Sequence, residues 1–256
     1  MEAYLDNSAT TRVDAQVQEL MKKLMDVDFG NPSSRHQKGV VAEGYIKEAR
    51  QKIAATLKVD PKELIITSGG TESNNMALIG TALAAKRKGN HIITTAVEHP
   101  SVKATASFLE EQGFRITFLS VDSRGQISLE DLKEALTPDT ILVSIMYVNN
   151  EIGTIQPVEE AAKLVHATVP GAVFHVDAIQ AYGKVMIRPK QQGIDLLSVS
   201  SHKFHGPKGA GFLYCSSKVN LHPIIFGGGQ QSCMRSGTEN VNCAAVMGLA
   251  AQLDYQ

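Results

Sequence analysis

Tryptophan is absent, and aromatic residues make up only 5% of the 256 positions, so an apolar interior has to be built mainly from aliphatic side chains. Cysteine is scarce as well. Cys215, Cys233 and Cys243 form an odd set without CxxC spacing, which argues against a disulfide framework and a structural zinc site and leaves three reduced thiols. Neither sign of charge is in excess: 25 Lys and Arg stand against 26 Asp and Glu, a formal net charge of -1, so no general pull toward nucleic acid or an anionic membrane is visible. Any anion must then be captured locally. No apolar run approaches the roughly 20 residues of a membrane helix, and the opening MEAYLDNSATT is acidic rather than leader-like, so a cytoplasmic location is expected. Repeats, low-complexity tracts and linker-like breaks in composition are not evident. What is present is 43% hydrophobic residues, ample for one large core.

Short β-rich runs alternate with amphipathic segments along the chain. Glu63-Thr67, His91-Thr95, Arg115-Leu119, Thr140-Val148, Ala172-Val176 and Asp195-Ser200 read as strands. Ser73-Gly89, Pro100-Gly113, Leu129-Leu136 and Val158-Val169 read as helices. This alternation predicts an α/β protein with a mainly parallel central sheet flanked by helices in three layers. Runs such as ILVSIMYV are near-continuously apolar rather than alternating, as strands buried on both faces are. The segments after the strands, TSGGTESNN, VEHPS, NNEIG, DAIQ and SSHKFHGPKG, are instead polar, Gly-rich or ionisable. Open α/β sheets bind ligands beyond the carboxyl ends of their strands, so these segments are placed to converge on one site.

Four features in them could carry chemistry. Ser68-Gly69-Gly70-Thr71 lies between a strand and a helix that Thr71 or Ser73 would cap, so free N-H groups could receive a phosphate there; an ordinary capped helix fits equally. Asp177 ends the run AVFHVD, where a buried carboxylate needs a cation or donor. A protonated pyridine nitrogen would serve, as would a salt bridge or a helix cap. Lys203 follows the strand LLSVS; it is either an amine of depressed pKa that attacks an aldehyde or a surface lysine with its stem packed down. His99, before Pro100, opens a helix and can stack on a cofactor, move protons or merely support the fold. The His202-His205 spacing could suggest a metal, but no third ligand is apparent.

Taken together, YLDNSATT, NPSSRHQKG, TSGGTESNN, EHPSV, NNEIGTIQP, VDAIQAYGK, SSHKFHGPKGAG and GGGQQSCMRSGTEN resemble, in order and spacing, the cysteine desulfurases of the NifS/IscS type. These lie within the class V aminotransferase-like, fold-type-I enzymes that use pyridoxal 5'-phosphate (PLP). The resemblance implies Lys203 as the Schiff-base lysine, Asp177 at the pyridine nitrogen, Gln180 at the phenolic oxygen and His99 over the ring as a proton carrier. It implies Gly70, Thr71, Ser200 and His202 around the phosphate, with Thr238 reaching in from a second subunit of a homodimer, and Asn150 near the substrate carboxylate. Residues 1-15 would be part of a small domain and residues 16-256 the PLP-binding large domain. The implied reaction converts L-cysteine to L-alanine and passes sulfur to an enzyme thiol, feeding iron-sulfur or thiolation pathways.

The sequence departs from the family in one respect. The sulfur-accepting cysteine and the carboxylate-clamping arginine, expected in a C-terminal portion beyond GGGxxxxMRSGT, have no counterpart in this chain. Cys233 is the nearest thiol. A sulfur acceptor or scaffold protein would then be a partner, and the apolar helix-like segment Val241-Leu253 is expected to need cover from dimerisation or another chain. Two alternatives remain: a selenocysteine lyase or other class V PLP enzyme, and a PLP-binding or interaction protein without turnover.

Overall fold

The computed structural model describes residues 3-255. Its strands are β1 (Leu64–Thr67), β2 (His91–Thr95), β3 (Arg115–Leu119), β4 (Thr140–Met146), β5 (Val173–Asp177), β6 (Leu196–Ser200) and β7 (Gly211–Cys215). They form one sheet of seven strands in the order β1-β7-β6-β5-β4-β2-β3, with β7 antiparallel to both neighbours and the remaining contacts parallel. The helices are α1 (Ala15–Asp26), α2 (Gln37–Leu57), α3 (Gly70–Ala85), α4 (Pro100–Glu111), α5 (Leu129–Ala135), α6 (Val158–Thr168), α7 (Pro189–Gln192) and α8 (Val241–Asp254).

Side chains that alternate along a strand feed two separate cores, as the pleat requires. Ile65, Leu142, Leu196 and Leu213 pack with α3 and α4 on one face. Ile66, Val143, Phe174, Leu197 and Phe212 pack with α1, α2, α6 and α8 on the other. The expected three-layer α/β arrangement follows from these two apolar faces. Most strand boundaries lie within two residues of those read from sequence, because an apolar run ends where the polar loop begins.

Helix α8 corrects one expectation. It is covered within the chain, with Val246 and Met247 fully buried and its face packed on α2 and α1. Contact with α2 is close because Gly248 has no side chain: a Cβ there would stand 2.6 Å from Ala49 Cα. The helix after β1 is a second correction. It starts at Gly70 with Gly69 as its N-cap, not with Thr71 or Ser73 as the cap. Gly69 adopts φ 151°, which a side chain would resist, so the helix can begin earlier than the polar residues suggest. Ser73 Oγ turns back instead to the Gly69 carbonyl at 3.0 Å and to Thr67 Oγ1 at 2.7 Å.

Candidate active site

The carboxyl ends of the parallel strands open into a cavity of about 360 Å³. Its lining includes Gly70, Thr71, His99, Asn150, Asp177, Gln180, Ser200, His202 and Lys203. Nine of the ten residues expected from sequence therefore meet at one place, brought there by the ends of β1, β2, β4, β5 and β6 and the segments after them. The tenth, Thr238, lies in another cavity with Arg235 and Asn240.

Asp177 is the last residue of β5 and is 4% exposed. Its Oδ1 accepts from the Ile179 N-H at 3.0 Å and its Oδ2 from Asn74 Nδ2 at 2.8 Å, so it is neither a helix cap nor part of a salt bridge. Burial pushes its pKa upward, opposed by these two donors and by His99 and Lys203. A cation placed against it would lower that cost. The Asn74 amide, from the second turn of α3, also donates to Ser101 Oγ at 3.0 Å. Ser101 Oγ in turn lies 2.8 Å from His99 Nδ1, which accepts from the Ser101 N-H at 3.1 Å. A neutral imidazole so held carries its proton on Nε2. Pro100 starts α4 with φ already set, and His99 is the N-cap, so the helix start fixes where the ring can go.

Lys203 lies in the short turn after β6, half-buried. Burial lowers its pKa, opposed by the charges of Asp177 and Asp6. Its Nζ donates to the Ala9 carbonyl at 3.0 Å and also to that of Ser8, which Gln180 Nε2 approaches at 2.8 Å. The N-terminal segment reaches this turn through Thr11, whose N-H donates to the His202 carbonyl at 2.8 Å and whose Oγ1 accepts from the His205 N-H at 2.8 Å. Burial, then Lys203 and Lys208, lower His202.

The start of α3 faces the same cavity with backbone N-H groups that no cap side chain satisfies. A Cβ at Gly70 would come 2.1 Å from Ile179 Cδ1 and crowd this mouth. The donor set thus offers a helix N-terminus for a phosphate, a buried carboxylate for a pyridinium, an imidazole and an amine of lowered pKa. It fits PLP.

A model of the family described as "Aminotransferase class-V" matches residues 3–256. The chain belongs to the class V aminotransferase family. PLP is the cofactor of that family, and when bound it supplies an electrophilic aldehyde and a ring that accepts electrons. A "Cysteine desulfurase IscS" from Dictyoglomus turgidum is 49% identical over 252 residues, 98% of this chain and 64% of that protein. A "Putative cysteine desulfurase IscS 1" from Bacillus subtilis is 51% identical over 238 residues, 93% of this chain and 62% of that protein. The chain therefore spans less than two thirds of the length of these relatives. Among solved structures, a "NIFS-LIKE PROTEIN" superposes with a TM-score of 0.97 at 42% identity over 99% of this chain and 70% of that one. "SspA in complex with cysteine" gives 0.94 at 39% identity, covering 98% and 72%.

Three members of this class V site are not apparent from sequence reasoning. Asn74 and Ser101 sit inside helices and connect only through the fold. Glu98, 2% exposed, lies under the site next to His99; an acid directly after the apolar strand HIITT and its turn was the available signal. Among the described residues no cluster of His, Cys, Asp and Glu is arranged to hold a metal, and no helix is long and apolar enough to cross a membrane.

Proposed function

We propose that the protein is a PLP-dependent cysteine desulfurase that converts L-cysteine to L-alanine and hands the sulfur to an acceptor thiol. The observation that carries this reading is the meeting of Lys203, Asp177 and His99 in one cavity with the free N-terminus of α3. In this reading Lys203 would hold the cofactor covalently, and its half-buried amine is placed to take up a substrate's α-proton. Asp177 keeps the pyridine nitrogen protonated, and Asn74 holds the carboxylate in place. His99, with Nδ1 engaged by Ser101, presents Nε2 for stacking or proton transfer. Gly70, Thr71, Ser200 and His202 surround the phosphate, Gln180 takes the phenolic oxygen and Asn150 the substrate carboxylate. The relatives named above as desulfurases and the cysteine complex of SspA support the choice of substrate.

The sulfur acceptor is a separate matter. Cys215 and Cys243 are partly buried, with thiols that burial pushes up, that of Cys215 to about 12, so both are poor thiolates. Cys233 is exposed but does not line the cavity. We therefore assign the acceptor thiol to a partner or to a part of the protein outside residues 3-255. The division into residues 1-15 and 16-256, the cytoplasmic location, the link to iron-sulfur assembly and a homodimer belong to the same proposal. Thr238 stands apart from the cavity of its own chain, which suits a role at a second copy's site.

Purified protein loaded with PLP and given L-cysteine and a small thiol tests the proposal. Alanine and sulfide in equal amounts are expected. Alanine without sulfide or persulfide, or turnover of selenocysteine alone, would overturn it in favour of another class V activity.

A further inference from the structure

Glu98 is a buried acid that the proposed chemistry does not use. Its Oε1 accepts from the Met146 N-H at 2.7 Å and from Thr95 Oγ1 at 2.9 Å, while Oε2 is buried without a hydrogen-bond partner. Met146 is the last residue of β4 and stands opposite Asp177 in the parallel register with β5. Glu98 therefore ties the turn after β2 to the very end of β4, one strand from the carboxylate at the floor of the cavity.

We propose that Glu98 is a positioning residue that remains a neutral acid, fixing the end of β4 while leaving Asp177 to carry the buried negative charge under the cofactor. Two carboxylates in one dry region do not both ionise, and the proton goes to the one that has an oxygen no donor reaches and fewer cations around it. Asp177 has two donors, on Oδ1 and on Oδ2, and feels His99 from the turn before α4 and Lys203 from the turn after β6. Glu98 has one orphan oxygen and only the weaker pull of Lys103 on α4. Burial, then the charge of Asp177, push Glu98 up to about 8. Above that pH a second negative charge appears beside Asp177 and changes the field that a pyridinium held there would meet.

The cofactor half of this inference rests on the proposed function; the proton half does not. Thermal unfolding of the PLP-free protein across pH 5 to 9 tests the latter, comparing wild type with Glu98→Gln and Glu98→Ala. A folded-state pKa above the unfolded value makes the wild type most stable, relative to Glu98→Gln, at low pH. That advantage should fall by up to tenfold in the unfolding constant per pH unit toward pH 8 and then level off. Glu98→Ala, which loses the Met146 bond as well, should unfold at lower temperature than Glu98→Gln at every pH. Parallel profiles for wild type and Glu98→Gln would overturn the neutral acid, and equal stability of the two variants would overturn the positioning role. In the loaded protein the cofactor absorbance should show an inflection near pH 8 that Glu98→Gln lacks. Its persistence in Glu98→Gln would overturn the link to Asp177, whereas failure to bind PLP at all would instead sink the proposed function.

Discussion

Asn74 Nδ2 stands 2.8 Å from Asp177 Oδ2, and the same amide reaches Ser101 Oγ at 3.0 Å. One side chain on α3 thereby couples the carboxylate at the end of β5 to the residue that holds His99. Both donor hydrogens are used, so the amide has one orientation that serves both partners. Removing it should affect two expected cofactor contacts at once.

Asn74→Ala leaves Asp177 with a single donor. Hydrogen bonds to a charged group contribute about 1.5–3 kcal/mol, so PLP affinity, read by equilibrium dialysis or absorbance, should fall roughly tenfold or more. Asn74→Asp should do worse, since it sets a like charge against Asp177. Unchanged affinity in both variants would show that Asp177 does not depend on this contact.

Lys203→Ala should abolish the covalent link to PLP. Reduction of the loaded protein with borohydride followed by mass measurement should find the phosphopyridoxyl mass on the wild type and none on the variant. Lys203→Arg keeps a charge but no nucleophilic amine and should behave like Ala. A retained adduct in either variant would move the attachment elsewhere.

Gly211 opens β7 against the turn before α3. A Cβ there would lie 2.6 Å from the Val199 carbonyl oxygen and 2.7 Å from Gly69 Cα, both backbone, so Gly211→Ala must displace one of them. Overpacking of this kind costs about 1–3 kcal/mol. The melting temperature should fall, and PLP affinity with it, because Gly69 begins the expected phosphate turn. Gly44 within α2 has nothing within 4 Å of a built Cβ, so Gly44→Ala should raise stability by about 0.5–1 kcal/mol instead.

His175 is buried between strands, with Nδ1 2.8 Å from Ser144 Oγ and Nε2 2.9 Å from Ser198 Oγ. Burial lowers its pKa to about 3. Its unfolded counterpart titrates near 6.5, so its contribution is complete above that pH and is lost as pH falls toward 3, by up to about 1.4 kcal/mol per unit. His175→Gln should therefore show a shallower loss of stability between pH 6 and 4 than the wild type, although its stability at pH 8 should be lower. Glu98 acts with the opposite sign from about pH 4.5 to 8, so the comparison should use variants rather than the raw profile.

What the sequence by itself determined is the alternation of elements, and with it the end of the sheet where ligands gather. A strand such as Thr140–Met146 is mostly apolar and buried at every position because both its faces are covered, and the polar residues after it mark where the chain leaves the sheet. Lys203, Asp177, His99 and the Ser68-Gly70 turn were legible for that reason: each is a reactive or flexible residue directly after an apolar run. The antiparallel β7 was not, since GFLYC follows a Gly-rich turn and its direction depends on pairing with β1 and β6. The start of α3 escaped as well, because Gly69 caps it with no side chain, whereas α4, α5 and α6 begin at the residues read from sequence. Only the tertiary structure decided which polar residues inside helices meet the site. Asn74 has the composition of any helical asparagine; it becomes a partner of Asp177 because α3 lies across the sheet. Glu98 is likewise an ordinary acid until packing between β2, β4 and β5 removes its water and forces one of two carboxyl groups to hold a proton.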